Sequence, residues 1–397
     1  LNLSQFNTES FTSFVQDHLD EDPAHLLLKY AGKTDFDLKF AVQQIQARQK
    51  AKHKLPTWIS NPNLLFPASI SMEQASSEDT AMFKSTLVNG HNMIDLTGGL
   101  GIDTYYLSKS FQKATYCEKQ EILASLALHN FHQLDKDKFH VINGDSLNYL
   151  DKTQDTFDLL YLDPARRGEY NQKLYKLSDC EPDVVSNWHK LKSKSKSVMI
   201  KTSPMLDIKQ AIADLPDIQH VWVISVRNEV KEVLLIWNMS SSPIDQRQIT
   251  CIDLHPAGDK TFEFNFEEEE AYQNELSSIE TFIIEPMASI MKAGAFKSFG
   301  VKYGLKKLHT NSHLYTTDHL PEESIPGKIF RVLKSFSSPK RELKKQFEKG
   351  KVNVISRNYL LSADEIKQKY KLKDGGTQFL IGTRVGESHQ LILAELV

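Results

Sequence analysis

The sequence predicts an α/β fold centred on a seven-stranded, mainly parallel sheet, with an N-terminal helical region before it and a C-terminal α+β domain after it. Three observations lead there. Between residues 92 and 237, short apolar runs of strand length alternate with spans long enough to hold a crossover helix. The first of these runs ends in Thr97-Gly98-Gly99-Leu100-Gly101, a glycine turn that opens a helix near Asp103. The last two runs, 221–226 and 233–237, are separated only by a short turn around Asn228-Glu229-Val230, so they read as an antiparallel hairpin.

At 397 residues the chain has room for two or three domains, taking ~100–200 residues for each. We divide it into an N-terminal helical region (1–70), a central α/β domain (71–240), a connecting α+β region (241–327) and a basic α+β domain (328–397). Hydrophobic residues make up 40%, charged residues 25%, and mean hydropathy is −0.41, as in soluble globular proteins. No apolar run approaches the ~18 residues of a membrane span. The opening residues also lack the basic and then apolar pattern of a secretion signal. Cys117, Cys180 and Cys251 are too scattered for a disulfide framework or a zinc knuckle. A cytoplasmic location, away from membranes, is the expectation.

Net charge is −3, but it is unevenly spread. Residues 290–397 carry 20 Lys+Arg against 10 Asp+Glu, a surplus of +10 that leaves −13 on residues 1–289. The last third is a basic body joined to an acidic one.

Taken in order, Asp22-Pro23 opens one helix, and Leu38, Ala41, Val42 and Ile45 form an amphipathic stripe on another. Arg48, Lys50, Lys52 and Lys54 suit the carboxyl end of that helix by its dipole, with a nucleic-acid contact as the sharper alternative. Residues 55–67, with three prolines and Trp58, read as an extended connector. Ser76 or Ser77, with Thr80 behind, caps the next helix; the sharper reading has Ser77 and this polar turn closing over a cofactor.

The glycine loop excludes two common ligands. Counting from Gly99, a dinucleotide fingerprint would need glycine where Thr104 stands, and a phosphate loop would need Gly-Lys-Ser/Thr. What remains is an acid at the strand end followed by alternating small residues: Asp95, Thr97, Gly99 and Gly101. That pattern suits a cofactor without pyrophosphate but with an ammonium and a carboxylate, such as S-adenosylmethionine. A purely structural turn is the plainer alternative. On the cofactor reading, a Cβ at Gly99 or Gly101 would obstruct the ligand.

Further acids follow in register. Glu118 closes the second strand, where a carboxylate accepts from both ribose hydroxyls. Asp145, in Asn143-Gly144-Asp145-Ser146, follows the third strand and is placed for the adenine amino group. Asp163 closes the fourth, in Tyr161-Leu162-Asp163-Pro164-Ala165-Arg166-Arg167. All lie at carboxyl ends of parallel strands, the edge where such sheets bind ligands.

These motifs resemble those of the class I S-adenosylmethionine-dependent methyltransferases, whose sheet is seven-stranded and Rossmann-like. With Leu308-His309-Thr310-Asn311-Ser312-His313-Leu314-Tyr315, Arg357-Asn358-Tyr359 and Asp374-Gly375-Gly376, the chain resembles the bacterial branch with a THUMP-like C-terminal domain. The resemblance implies that Asp95, Thr97, Gly99 and Gly101 line the methionine part of the cofactor, Glu118 the ribose, and Asp145 with Ser146 the adenine; Asp103 is a further candidate cofactor contact.

The fourth motif bears on the acceptor. Related enzymes that methylate exocyclic amino groups carry Asp/Asn-Pro-Pro and then an aromatic residue; here Ala165 and Arg166 replace the second proline and the aromatic. Asp-Pro-Ala-Arg also resembles the motif of uridine C5-methyltransferases, but these need a thiol after the fifth strand. This chain has Lys201-Thr202-Ser203-Pro204 there, and Cys180 is the one substitute. The expected reaction is therefore direct displacement by a base nitrogen, with Asp163 and Pro164 as the catalytic pair. Arg166 and Arg167 are candidates for a substrate phosphate or for an ion pair with Glu169, and Tyr170 or Tyr175 for a stacking face.

In the last domain we expect strands at 329–333 and 352–356, helices at 339–349 and 362–370, and a final hairpin at 379–384 and 390–395. Arg357 and Tyr359 are the candidate RNA contacts there. The sequence thus predicts a methyltransferase acting on structured RNA, tRNA or rRNA. Its alternatives are a non-catalytic RNA-binding protein with a vestigial fold, and a protein or small-molecule methyltransferase.

Overall fold

The structure is a computed structural model that describes residues 8–67, 75–166, 176–240, 247–336, 339–347 and 350–397. The chain divides into two compact units: Leu1–Gln219 with Glu232–Ile244, and His220–Lys231 with Asp245–Val397.

The first unit opens with four helices, Glu9–Asp17, Pro23–Lys29, Leu38–Ala51 and Pro56–Ser60. Each of the first three is capped as its sequence dictates, by Thr8, Asp22 and Asp37 accepting from the backbone N–H of Phe11, His25 and Phe40. The expected stripe is buried: Ala41, Val42 and Ile45 pack with Phe11, Phe14 and Leu26. Arg48 is not a nucleic-acid contact. It is 2% exposed and donates to the carbonyls of Ile59, Asn61, Pro62 and Leu64, pinning the proline-containing connector to the helix. Trp58 and Phe66 from that connector join Leu100, Ile102 and Tyr106 in one hydrophobic cluster, so the N-terminal helices support the glycine loop directly.

The strands are β1 (Asn92–Asp95), β2 (Lys113–Glu118), β3 (Phe139–Asn143), β4 (Phe157–Leu162), β5 (Ala165–Arg166), β6 (Cys180–Glu181), β7 (Ser195–Thr202), β8 (His220–Val226), β9 (Glu229–Asn238), β10 (Gln248–Leu254) and β11 (Lys260–Phe264). Five of them, β1, β2, β3, β4 and β7, are parallel neighbours, and β9 runs antiparallel to β7. The sheet corrects the expected seven strands to nine, in the order β11-β10-β8-β9-β7-β4-β1-β2-β3. The extra two come from the region after residue 240: β10 pairs parallel with β8, and β11 antiparallel with β10. The run Ile249-Thr250-Cys251-Ile252 that forms β10 is buried throughout, as expected of an interior strand.

In the second unit, a separate seven-stranded sheet is built from β12 (Phe282–Pro286), β13 (Lys306–Lys307), β14 (Tyr315–Thr317), β15 (Gly327–Phe336), β16 (Asn353–Arg357), β17 (Gln378–Val385) and β18 (Ser388–Leu396), in the order β13-β14-β12-β15-β18-β17-β16. Alternation along β17 and β18 gives it two apolar faces. Leu380, Leu391 and Leu393 pack with Leu343 of the helix Pro339–Gln346 and Ile366 of the helix Ala363–Tyr370, whereas Ile381, Ile392 and Ala394 pack with Ile283, Leu308, Leu314 and Phe330.

Candidate active site

The site begins where β1 ends. Asp95 is 1% exposed. Its carboxyl accepts from the Thr97 N–H at 2.9 Å and from the Thr104 hydroxyl at 2.5 Å, which ties strand, turn and following helix together. Burial pushes this carboxyl up to about 7 despite those bonds, with the charges of Asp103 and Asp163 adding to the rise. The Thr97 hydroxyl, 3.4 Å from Asp95, accepts from the backbone N–H of Asp163 at 2.6 Å. One threonine therefore joins the glycine loop to the fourth motif.

The loop glycines differ in what they are needed for. A Cβ on Gly98 would lie 2.1 Å from the Tyr116 ring, and one on Gly101 would lie 2.7 Å from Phe131, so both are required by the packing beneath the loop. Gly99 has a left-handed backbone, φ +53°, and a Cβ there would meet only the Thr97 carbonyl at 3.8 Å. It is the loop position with open space above it. Glu118 turns toward it: one carboxylate oxygen accepts from the Gly99 N–H at 2.9 Å and the other from the Gln120 N–H at 2.8 Å. Each oxygen keeps further lone-pair capacity.

Behind the loop lies a network of charges that sequence reasoning missed. Asp103 accepts from the hydroxyls of Ser76 at 2.7 Å and Tyr161 at 2.8 Å, while Lys84 stands 3.1 Å from its other oxygen. Lys84 is fully buried and also meets Glu232 at 2.6 Å. Lys201, at the end of β7, reaches Asp163 at 2.6 Å and lies 3.9 Å from Asp103. Burial alone would raise the Asp103 carboxyl, but Lys84 and Lys201, helped by Ser76 and Tyr161, hold it down at about 2. Burial raises the Asp163 carboxyl, and Lys201 opposes that rise. Burial disfavours the charge on Lys201 in turn, yet Asp163, Asp103 and Glu232 lift it above the ordinary lysine value. Three carboxylates face two ammonium groups, with Asp95 alongside, so the edge of the sheet is suited to a cationic ligand.

A signal for Lys201 existed. It is a charged residue closing the apolar run Val198-Met199-Ile200 at the carboxyl edge, as Asp163 does on β4. Lys84 and Glu232 gave none, because they meet from 148 residues apart.

The other expected residues fall into place differently. Ser77 caps the helix Glu78–Thr86 by accepting from the Thr80 N–H; it is Ser76 that enters the carboxylate network. Asp145 caps the helix Ser146–Lys152 through the Asn148 N–H and pairs with Lys119 at 3.0 Å, and Ser146 is buried in the first turn. Pro164 is buried after β4, and Ala165–Arg166 pairs antiparallel with Cys180–Glu181. Cys180 is 0% exposed, so its thiol is not presented to a substrate. Arg167, Tyr170 and Tyr175 lie outside the described residues. In the second unit, Arg357 pairs with the buried Glu285 at 2.6 Å, and Tyr359 packs into the core against Gly382 rather than offering an open stacking face.

The open cradle at Gly99, the carboxylate of Glu118 beside it and the surplus of acids fit S-adenosylmethionine, which carries a ribose diol and a sulfonium. Comparison with known proteins agrees. Residues 282–323 match a family described as a ferredoxin-like domain, and residues 327–396 one described as THUMP domain-like. Two proteins of Mycobacterium tuberculosis, strains CDC 1551 and H37Rv, named as uncharacterised S-adenosylmethionine-dependent methyltransferases, are each 21% identical over 321 residues, 80% of this chain and 84% of theirs. The crystal structure of a protein of Porphyromonas gingivalis W83, provisionally designated a methyltransferase, is 31% identical and superposes with a TM-score of 0.88 over 98% of this chain and 97% of its own. The chain belongs to the S-adenosylmethionine-dependent methyltransferases that carry a THUMP-like C-terminal domain.

Proposed function

We propose that this methyltransferase acts on a base nitrogen of structured RNA, with the central domain performing transfer and the basic C-terminal domain holding the substrate. The observation that carries the nitrogen reading is Asp163: its carboxylate is 37% exposed at the carboxyl end of β4, and its main chain is bonded to Thr97 of the cofactor loop. Glu118 would hold the ribose, the main chain at Gly99 would leave room for the ligand, and Asp95, with Thr97, would shape the methionine end. S-adenosylmethionine supplies an activated methyl group on a sulfonium, so the protein chiefly orients the acceptor and excludes water. Asp163 holds the acceptor's hydrogen. The buried Cys180 supports a nitrogen target over a ring carbon.

The RNA reading rests on the surplus of +10 over residues 290–397. It also rests on an open cavity lined by Lys340, Arg341, Lys369 and Tyr370, which combines cations with an aromatic ring as single strands require. Lys340, Arg341 and Lys369 are exposed, and they join Arg357, whose side chain is 46% exposed beside Glu285, as candidate contacts. Binding of the full chain to total RNA, followed by fluorescence anisotropy over a salt series, tests this. Affinity should fall steeply with salt, and the joint replacement Lys340→Ala and Lys369→Ala should reduce the log–log slope by roughly one to two. Salt-insensitive binding, or a slope unchanged in the variant, would refute the assignment of RNA to this surface.

A further inference from the structure

The side chain that meets Asp163 is a cation, and this restricts which nitrogen can be the acceptor. Lys201 and Asp163 end adjacent parallel strands, β7 and β4, so their side chains leave the sheet together at its carboxyl edge. The ammonium lies 2.6 Å from one Asp163 oxygen, and both groups reach solvent, with side chains 10% and 37% exposed. A lysine has three N–H donors. One meets Asp163, and Asp103 at 3.9 Å is beyond hydrogen-bond range. Among the described residues Lys201 therefore keeps donors for a ligand. The pair presents a hydrogen-bond acceptor and a cationic donor side by side.

An exocyclic amino group does not match that pair. It carries hydrogens, calls for two acceptors, and would meet the Lys201 donor head-on. Adenine N1 matches no better, since a donor there would occupy the lone pair that must attack. A lactam does match: its ring N–H sits next to a carbonyl, so the hydrogen faces Asp163 and the oxygen faces Lys201. The fourth motif agrees independently, because Ala165 and Arg166 replace the proline and aromatic residue of the amino-methylating pattern.

We propose that the acceptor is a lactam nitrogen of an RNA base, the N1 of guanine or the N3 of uracil, held by Asp163 and Lys201 as an acceptor and donor pair. This rests on the RNA reading given above. The ring N–H bond breaks and its proton passes to the Asp163 carboxylate. The electron pair left on the lactam, stabilised at its oxygen by the Lys201 cation, forms the new nitrogen–carbon bond. The carbon–sulfur bond breaks with its pair going to sulfur, which leaves neutral S-adenosylhomocysteine, a methylated base and a protonated Asp163.

The test incubates the full chain with S-adenosylmethionine tritiated at the methyl group and total RNA from cells lacking the protein, and then separates the labelled nucleosides. Label in 1-methylguanosine or 3-methyluridine is the expected result. Label in N2-methylguanosine, N6-methyladenosine, N4-methylcytidine, 1-methyladenosine or a 5-methylpyrimidine would overturn the lactam assignment while leaving the RNA reading intact. Label in no nucleoside would overturn both. Asp163→Asn keeps an acceptor oxygen but cannot take the proton, so kcat should fall ~100-fold or more. Transfer retained within threefold would refute proton removal by Asp163. Lys201→Met should lower kcat to a similar degree, and Lys201→Arg, which keeps a cationic donor, should restore part of it. S-adenosylmethionine affinity within threefold of wild type serves as the check that each variant is folded. Lys201→Met with unchanged kcat would refute the role given to the lysine.

Discussion

Replacing Asp95 by Asn should remove a specific pH dependence from the stability of the methyltransferase unit. The carboxyl is 1% exposed, and burial raises it from 3.8 to about 7. A carboxyl whose folded value lies above its unfolded value contributes stability that is complete below the unfolded value and is lost as pH rises through the folded one. The loss therefore spans pH 4 to 7 and just above, and reaches ~4 kcal/mol over the whole interval. Between pH 6 and pH 8 the wild-type share is ~1.4 kcal/mol. At ~2–4 °C per kcal/mol for a unit of this size, that lowers Tm by ~3–6 °C between the two pH values. Asn retains an oxygen for the Thr97 N–H and has no proton to lose in this range. Thermal unfolding followed by circular dichroism at pH 6 and pH 8 should show this component in wild type and not in Asp95→Asn. The variant should be the more stable of the two at pH 8. Identical pH dependence in both proteins would refute a buried, raised carboxyl at the end of β1.

Two further variants probe the scaffold. Lys84→Met leaves Glu232 and Asp103 buried without their shared cation and should cost ~3–5 kcal/mol, measured by chemical denaturation; a change below 1 kcal/mol would mean that the network is not held by this lysine. Gly98→Ala forces a methyl group to within 2.1 Å of the Tyr116 ring. It should destabilise by ~1–3 kcal/mol and weaken S-adenosylmethionine binding, because Tyr116 holds the Gly99 carbonyl at 2.6 Å; calorimetry and thermal unfolding together check both effects.

Much of this was legible because it is local. Strands β1 to β4 and β7 to β9 stand where apolar runs predicted them; for β1, β4 and β7 the reason is that a parallel strand buried on both faces must be nearly all apolar. Asp95, Glu118 and Asp163 could be read as a set because each ends such a run. The extra strand β10 was missed because Gln248–Leu254 carries Thr250 and Asp253 and follows a polar stretch, so it read as part of a connector; the alternating Phe262-Glu263-Phe264 of β11 did read as a strand, but without β10 nothing joined it to the main sheet. The partners of the carboxylates were missed for another reason. Whether Asp103 faces ligand or lysine depends on side chains brought in by distant strands and helices, and no spacing rule encodes that Lys84 meets Glu232. Arg357 and Tyr359 show what spacing leaves out: an arginine and a tyrosine in a basic domain suggest RNA, while the fold also pairs the exposed Arg357 with Glu285 and packs Tyr359 against Gly382.

The central claim is that the cofactor lies over the glycine loop with its sugar at Glu118, while Asp163 serves the acceptor. Calorimetric titration of S-adenosylmethionine into wild type, Glu118→Gln and Asp163→Ala tests it most directly. Exchanging one charged acceptor at Glu118 should weaken binding ~10–100-fold, and Asp163→Ala should bind within threefold of wild type while transferring no methyl group. Wild-type affinity in Glu118→Gln, or loss of binding in Asp163→Ala, would contradict the division of the sheet edge described here.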